Sequence, residues 1–377
     1  MRLRRWIIAV IASLLLAAGA MRADAGQDET VRGDLDGAAH PGFELLGPLR
    51  IRDMTPFNLL RLDMLPAHAV DAGRGSWAIE ANLSFSNTFV MSSNVRRYLR
   101  SRGGGGPLTS ADAAAILGMG EDAFYLDGEF GLLEATFHYR VLRRTSVYMT
   151  LSAYDFSGGF MDGSIEGFHN AFALENAGRD LVSRGQFQTV MTLGGVESSS
   201  LEAPVGFGLG DPVIGLRQAL PLGGSRWSLV LSGEIKVAYR GERAYLSTGT
   251  NDYGLQFALQ GKFDRHAIYL NTSLVSTDGQ VFGIPLERRI VPTFTAAYEA
   301  ALTPHVNFIG QIYVSPSTVR DTTIEVIEAD KYQASLGLRT RRGRLIYGFA
   351  FTENLKNFEN TPDIGMSLSV AWAELRP

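Results

Sequence analysis

The chain has 377 residues, a formal net charge of −4 and no cysteine. The absence of cysteine excludes a lipoprotein anchor, disulfide bonds and thiolate metal sites, and the acidic balance argues against nucleic acid as a partner, because phosphate binding needs a basic surface. A hydrophobic content of 45% and a mean hydropathy of +0.02 suit both a soluble β-protein and a membrane barrel, so the pattern along the chain has to decide.

The N-terminus predicts an export signal over residues 1–25. Three arginines among the first five residues precede an apolar stretch, which is too short to span a bilayer as a helix. Small-residue cleavage sites end at Ala20 and Ala25, and we favour cleavage after Ala25. Residues 26–74 lack strand alternation and contain four prolines. They are predicted as an N-terminal segment that lies either in the periplasm or in the lumen of a barrel.

From residue 75 onward the chain repeats segments in which apolar and polar residues alternate. Between Trp227 and Tyr239 the odd positions are apolar or glycine, while the even positions include Ser228, Glu234 and Lys236. Only a β-strand places successive side chains on opposite faces. Strands are therefore predicted at residues 77–89, 123–142, 146–156, 205–220, 226–239, 252–263, 266–276, 290–302, 305–315, 331–340, 344–352 and 364–372.

The connections between these strands alternate in length. Those at 222–225, 264–265, 303–304 and 341–343 are short, whereas those at 240–251, 277–289, 316–330 and 353–363 are longer. Tight periplasmic turns and long outer loops give this alternation, and aromatic residues at strand ends are typical of membrane interfaces. The pattern predicts an all-β fold, a transmembrane antiparallel β-barrel of twelve strands over residues 75–377 in the bacterial outer membrane, with both termini periplasmic. A soluble β-sandwich is the alternative, but its loops need not alternate.

Two outer loops, residues 92–122 and 157–204, are unusually long. The first is predicted to contain a short helix capped by Thr109 or Ser110. In the second, residues 187–196 form either a hairpin strand outside the barrel count or a fold into the mouth. Within the second strand, the parity of the apolar positions changes, which predicts a β-bulge between Gly131 and Glu134.

Charged residues within the strands are expected to face the lumen, since a charge facing lipid costs about 2–4 kcal/mol near the midplane. They indicate either a solute path lined by both signs of charge or a salt-bridge network that fills a narrow barrel. By parity, the lumen-lining candidates are Glu80, Asp127, Glu129, Glu134, His138, Arg140, Asp211, Arg217, Glu234, Lys236, Lys262, Glu299, Lys331 and Arg339.

The outer loop over residues 157–185 is too apolar for a freely solvated linker. It is predicted to fold over or into the barrel mouth, where glycines permit a tight path and Asp162, Glu166 and His169 line a constriction or a small-ligand site. A cap with its own small core is the other interpretation.

An enzyme has to be weighed, because some barrels of this strand number are outer-membrane phospholipases. Such a site needs a histidine close to a serine nucleophile. The His-x-Ser-Asn-Gly arrangement of those enzymes is missing, since Ser84 stands two positions before Ser86 and Asn87. His138 is interpreted as a lumen residue. No catalytic residue, metal site or cofactor is predicted.

Three partners are expected from the pattern. The final strand, residues 364–372, resembles the terminal strand by which the insertion machinery recognises outer-membrane barrels. The arginines at positions 96, 97, 100 and 102 form either a solvated charge run or a contact with lipopolysaccharide phosphates, which suit guanidinium geometry. Outer-membrane lipid, lipopolysaccharide and the insertion machinery are therefore the expected partners, together with a small solute that the sequence does not identify.

A resemblance adds to this interpretation. The stretch Ser157-Gly-Gly-Phe160-Met-Asp162-Gly-Ser-Ile165-Glu-Gly-Phe168-His169, with Gly178-Arg-Asp180, Leu126-Asp-Gly-Glu129 and Gly208-Leu-Gly-Asp-Pro212, resembles a bacterial family of uncharacterised proteins that is defined only as a domain of unknown function. The likeness covers residues 45–372 and implies an outer-membrane barrel. The Gly-Leu-Gly-Asp-Pro piece also resembles outer-membrane transporters of aromatic-degradation pathways. Neither resemblance supplies catalytic residues.

Three functions remain open at this point. The first is a passive channel or facilitator for a small solute, with apolar compounds included. The second is an outer-membrane lipid-acting hydrolase, and the third is a non-conducting barrel with a structural or surface-interaction role.

Overall fold

The structure is a computed structural model that describes residues 43–70, 72–103, 105–171, 176, 178–203, 207–222, 226–239, 245–356, 362 and 364–374, apart from the side chains of residues 168, 169 and 171. The predicted export signal lies outside the described residues. No helix within these ranges has the length and apolar character needed to cross a membrane.

The strands follow the predicted order closely. In chain order they are β1 (Trp77–Met91), β2 (Ala123–Leu142), β3 (Thr145–Ser157), β4 (Gln188–Leu193), β5 (Val196–Ser200), β6 (Gly208–Leu209), β7 (Val213–Leu222), β8 (Trp227–Lys236), β9 (Asp252–Phe263), β10 (His266–Ser276), β11 (Gln280–Val281), β12 (Ile284–Pro285), β13 (Ile290–Thr303), β14 (Val306–Ser315), β15 (Lys331–Arg342), β16 (Leu345–Lys356) and β17 (Ile364–Glu374).

Twelve of these strands form one closed antiparallel sheet, which confirms the predicted barrel. The order around the wall is β1, β2, β3, β7, β8, β9, β10, β13, β14, β15, β16 and β17, and the wall closes where β1 pairs with β17 from Trp77 opposite Glu374 to Asn87 opposite Ile364. Tight turns connect strands at one end, called here the short-turn end. Both the start of β1 and the end of β17 lie there, and the opposite end is the long-loop end.

The outward face of the wall is apolar. Because side chains alternate along each strand, one register position in two points away from the lumen, and large apolar residues at these positions are exposed. A continuous belt of this kind is what the hydrocarbon core of a membrane covers. Its members include Ile79, Phe137, Leu151, Leu216, Phe257, Leu274, Phe294, Ile312, Leu336, Phe349 and Leu368.

The helices lie at the long-loop end. They are α1 (Ser93–Arg102), α2 (Ser110–Leu117), α3 (Asp162–Ala171) and α4 (Glu325–Glu328), with 3₁₀ turns at Pro56–Asn58 and Arg179–Leu181. The predicted helix is confirmed as α2, which begins with a capping box between Thr109 and Asp112. Burial alone raises the pKa of Asp112, but hydrogen bonds from Thr109, Tyr98 and Arg102 outweigh it and lower the pKa to about 2.

The predicted β-bulge in β2 is wrong. Strands β1 and β2 pair without a break from Trp77 opposite Tyr139 to Met91 opposite Tyr125, so the even positions of β2 face inward over this stretch. A register shift between β2 and β3 occurs instead between Arg140 and Leu142, near the end of the strand. The apolar residues of β2 move from even to odd positions because the surroundings of the strand change along its length. At the long-loop end the interior itself is apolar, and the outer face of β2 is covered by α1 and α2.

Residues 187–196 form a hairpin outside the twelve barrel strands. At the long-loop end β4 replaces β3 as the neighbour of β2, from Ala123 opposite Thr192 to Asp127 opposite Gln188. β5 pairs with β4 on its free side. The hairpin therefore extends the wall above the end of β3.

Candidate functional site

The lumen contains a chain segment, called here the plug, which consists of residues 43–70 and 72–74. It enters at the short-turn end, where Asn307 Nδ2 donates to the carbonyl of Glu44 at 2.7 Å. It turns at the long-loop end, where Thr318 Oγ1 donates to Asn58 Oδ1 at 2.8 Å. It returns to the short-turn end, where Arg140 Nη2 donates to the carbonyl of Val70 at 3.0 Å.

Side chains of the wall bind the plug backbone. Prolines interrupt the plug, and a proline cannot donate to a sheet ladder, so its peptide groups need other partners. Glu299 accepts hydrogen bonds from the backbone N–H groups of Leu46 at 2.6 Å and Gly47 at 3.1 Å, and Arg339 donates to the carbonyl of Leu46 at 2.7 Å. Asn271 accepts from Ala67 N at 2.9 Å. The inner faces of β10, β13 and β15 thus hold the plug in place.

Buried ion pairs add to this attachment. Arg52 lies 3.0 Å from Glu134 of β2, and Arg50 lies 3.1 Å from Glu80 of β1. The Arg52–Glu134 pair is almost fully buried, with side-chain exposures of 5% and 6%. Loss of one partner would leave an uncompensated buried charge, which is costly. The plug is therefore electrostatically matched to the wall.

The tip of the plug is organised around Asp53. Its carboxylate accepts from Thr55 N at 2.9 Å and from Asn58 Nδ2 at 2.5 Å, and it lies 3.6 Å from the guanidinium of Arg61. These contacts fix the reversal of the chain.

On one side of the lumen, part of the wall does not bind the plug. The crevice, as we call it, is the strip between the plug and the inner faces of β3, β7 and β8. There some wall side chains bind one another: Tyr148 donates to Glu234 at 2.6 Å, and Arg217 donates to Ser232 at 3.3 Å. Nearer the plug tip, Lys236 donates to the carbonyl of Leu60 at 2.9 Å. A cavity of about 30 Å³ lies in the crevice, which is room for one or two waters. It is lined in part by Arg50, Arg52, Glu134, Tyr148, Thr150, Asp211 and Glu234.

The crevice is only partly open to solvent, because Tyr148, Thr150 and Ser232 along it are buried. The inward-facing residues Val213, Arg217, Ser228 and Glu234 are half-buried. Inward-facing residues of β9, β10, β13 and β15 are buried, with exposures of 2% to 4% for Gln256, Asn271, Thr295 and Gln333. The half-buried positions begin near the short-turn end and reach Glu234, so they mark a strip that leads from that end to the cavity in the middle of the barrel.

An apolar cluster, called here the cap, closes the long-loop end. It joins the plug tip, the wall, the β4–β5 hairpin and two long loops. Phe282 packs against Phe57 with ring centroids 6.2 Å apart and against Tyr245 at 5.0 Å. The members of the cap include Phe57, Leu60, Phe130, Phe156, Phe187, Met191, Leu193, Val281, Phe282, Ile284, Val319 and Ile327.

The strand registers place most of the predicted lumen residues on the inward face. These are Glu80, Glu134, His138, Arg140, Arg217, Glu234, Lys236, Lys262, Glu299, Lys331 and Arg339. Asp211 precedes β7 and is buried, and Ser247 donates to it at 2.5 Å. Whether these residues line a solute path stays a prediction, since several of them bind the plug.

Asp127 and Glu129 require a correction, because they lie on the outward face of β2. Without a bulge, odd positions of β2 point away from the lumen, and Glu129 stands opposite Asn87 of β1. Glu129 accepts from the backbone N–H of Phe160 at 2.8 Å and from that of Met161. The second long loop covers Glu129, and Asp127 is 3% exposed and accepts from the hydroxyl of Tyr125 at 3.3 Å, so these charges do not meet lipid.

The sequence predicted that Asp162 and Glu166 of the second long loop line a constriction or a small-ligand site. In the structure these two residues do not form a constriction. Asp162 pairs with Arg179 at 2.7 Å, and Arg179 donates to Asn87 at 2.6 Å, on the outer face of the wall. Glu166 binds the exposed Arg184. The side chain of His169 lies outside the described residues. The loop packs closely on the wall at Gly159, since a Cβ there would lie only 1.7 Å from Glu129 Cδ.

Sequence reasoning missed the plug residues Arg50, Arg52 and Arg61 as partners of the wall. They stand in a segment without periodicity, so the only available signal was the recurrence of arginine between prolines. It also missed Tyr148, because in the sequence this residue looks like any other aromatic residue on the inward face of a strand. In the residues that the structure describes, no group of three or more histidine, aspartate or glutamate side chains could hold a metal ion.

Several solved barrels resemble this one. The chain is similar to the COG4313 outer membrane channel from Pseudomonas putida F1, with 12% identity and a TM-score of 0.49 over 82% of this chain and 97% of that chain. It is similar to the Ralstonia pickettii toluene transporter TbuX, with 10% identity and a TM-score of 0.39 over 86% and 99%. A Pseudomonas aeruginosa FadL homologue has 12% identity and a TM-score of 0.37 over 88% and 99%.

Comparison with curated proteins finds no match. Residues 106–373 match the family described as "Protein of unknown function (DUF3187)". The match spans β2 to β17 and includes the stretches of β2, the second long loop and residues 208–212 that carried the resemblance in the sequence. The chain therefore belongs to the DUF3187 family.

Proposed function

We propose that this protein is an outer-membrane channel for small hydrophilic solutes and that the conformation described above is its closed state. The observation that carries the proposal is the crevice, a polar strip that leads from the short-turn end to the cavity in the middle of the barrel. In outer-membrane barrels, short turns face the periplasm and long loops face outward. With that orientation the crevice begins at the periplasmic end and the cap closes the external mouth.

The lining of the crevice favours a hydrophilic solute over an apolar one. Tyr148, Thr150, Arg217 and Glu234 present hydroxyl and charged groups to it. An apolar compound would have to displace water from these groups without replacing the hydrogen bonds, which is unfavourable. A small polar compound can exchange hydrogen bonds along the same route.

A non-conducting barrel is the second candidate. The observation in its favour is the number of hydrogen bonds and ion pairs between the plug and the wall, such as Arg339 to the carbonyl of Leu46 and Arg52 to Glu134. These contacts would serve a purely structural filling equally well. A lipid-acting hydrolase has no comparable support: His138 packs against the ring of Tyr148 at 5.4 Å, and we do not propose it.

Opening the cap tests the channel. In the cap-open variant, a Gly-Ser linker of equal length replaces residues 280–285, which removes Val281, Phe282 and Ile284 from the cap. The control replaces residues 110–115 of α2 in the same way, because α2 lies at the same end but packs on the outer face. Conductance in planar bilayers and solute uptake by liposomes should rise for the cap-open variant only. If the conductance and uptake of that variant stay at the wild-type level although its barrel is intact, the channel proposal fails and the structural role remains.

A further inference from the structure

We infer that solute passes the plug on one side, along the crevice, while the plug stays bound, and that Arg217 and Glu234 set the charge preference of this route. The inference rests on the proposed channel function. It differs from the simpler mechanism in which the whole plug leaves the lumen. Three features of the described residues support it, and each concerns a different part of the interior.

The first feature is the attachment of the plug. Both limbs are bound to strands outside the crevice: the entering limb through Glu299 and Arg339 of β13 and β15, and the returning limb through Gln256 and Asn271 of β9 and β10. Removal of the plug would break these bonds together and would leave Glu134 buried without Arg52. Opening of the cap alone costs none of these contacts.

The second feature is the shape of the crevice wall. The ring of Tyr148 packs directly on Gly215 of β7, where a Cβ would stand 2.2 Å from the ring carbon Cζ. The ring of Tyr154 lies in the same way over Gly210, where a Cβ would stand 2.4 Å from Cε2. Glycine at these two positions lets both rings lie close to the wall, and the Tyr154 hydroxyl donates to the plug at the carbonyl of Leu59 at 3.4 Å. Any larger residue would push the rings toward the plug and narrow the passage.

The third feature is the distribution of charge. Most charges that line the cavity are paired, as Arg52 is with Glu134 and Lys236 with Asp252 at 2.8 Å. Among the described residues, Arg217 and Glu234 form no ion pair within 4.0 Å. They lie at one tyrosine: the guanidinium of Arg217 sits 5.0 Å from the ring centroid of Tyr148, and Glu234 accepts from its hydroxyl. Both are half-buried, so both can act on a passing solute.

A disulfide that locks the plug to the wall tests the route. An ideal Cβ at Gly254 of β9 lies 3.1 Å from Met64 Cγ, which is about the separation between one Cβ and the partner Sγ in a disulfide. The chain has no cysteine of its own, so Met64→Cys with Gly254→Cys introduces a single bond. The pair is placed in the cap-open variant, and bilayer conductance is measured oxidised and after reduction with dithiothreitol.

The outcomes separate the inference from the function on which it rests. Equal conductance of the oxidised and reduced forms supports a route beside the bound plug. A closed oxidised form that reopens on reduction overturns the inference but leaves the channel. A cap-open variant that never conducts removes the proposed function itself. Gel mobility with and without reductant shows whether the bond has formed.

A labelling experiment gives an answer even if the disulfide does not form. Thr150→Cys places a thiol in the crevice, whereas Thr295→Cys places one on the inward face of β13, on the plug-binding side. A negatively charged methanethiosulfonate, added at the short-turn end, should block the cap-open variant at position 150 and not at position 295. Block at position 295 alone would contradict the inference.

Charge neutralisation tests the two selectivity residues. Glu234→Gln should lower the cation-to-anion permeability ratio of the cap-open variant, and Arg217→Gln should raise it. Each change is expected to be on the order of tenfold at low salt, since the charges act at short range in a partly dehydrated site. Arg344→Gln is the control, because Arg344 is an exposed residue at the short-turn end. Equal ratios in all three variants would exclude Arg217 and Glu234 from this role.

Discussion

Phe282 is the residue whose loss should open the cap most directly. Its side chain is 2% exposed, and its ring contacts Phe57, Phe130 and Tyr245. Its backbone is left-handed, with φ at 54°, a conformation that is uncommon for a bulky residue. Burial of the ring is what holds this strained backbone in the cap.

The expected size of the effect follows from these contacts. Phenylalanine to alanine in a packed cluster costs about 3–5 kcal/mol, and about 1.4 kcal/mol corresponds to a tenfold change in an equilibrium. If the loss falls on the closed cap, Phe282→Ala raises the ratio of open to closed cap on the order of 100-fold to 1000-fold. Phe282→Gly also relieves the left-handed backbone, worth about 1 kcal/mol, so it should open about fivefold less than alanine.

Single-channel recording in planar bilayers measures the open probability of each variant. Phe89→Ala is the matched control, since Phe89 is also 2% exposed but belongs to the cluster beneath α1 and α2 on the outer face. Opening that is no greater for Phe282→Ala than for Phe89→Ala would refute the assignment of the gate to the cap. So would an open probability that is higher for glycine than for alanine at position 282.

Three further predictions concern stability and loop attachment. Arg52→Met should destabilise the barrel by about 3–5 kcal/mol, because Glu134 is left buried and unpaired; loss of heat-modifiable gel mobility at lower temperature checks this, and unchanged mobility contradicts it. The depressed pKa of Asp112 means that its stabilisation of α2 is complete above pH of about 4 and is lost as the pH falls toward 2; proteolysis of the first long loop should rise over that window in the native chain and at every pH in Asp112→Asn. Gly159→Ala should detach the second long loop, since its Cβ would meet Glu129; resistance of the variant to trypsin equal to that of the native protein would show that the loop adapts.

The wall could be predicted from the sequence because its signal is local. In a strand, successive side chains face opposite sides, so the alternation from Trp227 to Tyr239 by itself fixes which residues face lipid and which face the lumen. The same argument placed Glu234, Lys236 and Arg339 inward without any knowledge of their partners. It failed at Asp127 and Glu129, because there a covered outer face and an apolar interior reverse the polarity that parity assumes.

The sequence by itself determined an antiparallel barrel of twelve strands, since the number, parity and spacing of the strands follow from patterns among residues that are close together in the sequence. Only the tertiary structure decided what fills that barrel. Leu46 binds Glu299 across 253 positions of sequence, and Arg52 meets Glu134 across 82. No periodicity predicts such contacts, because the described plug residues form no strand and no helix beyond the 3₁₀ turn at Pro56–Asn58. The conformation of the plug is set by side chains of the wall that satisfy its peptide groups, and these come together only when the sheet closes.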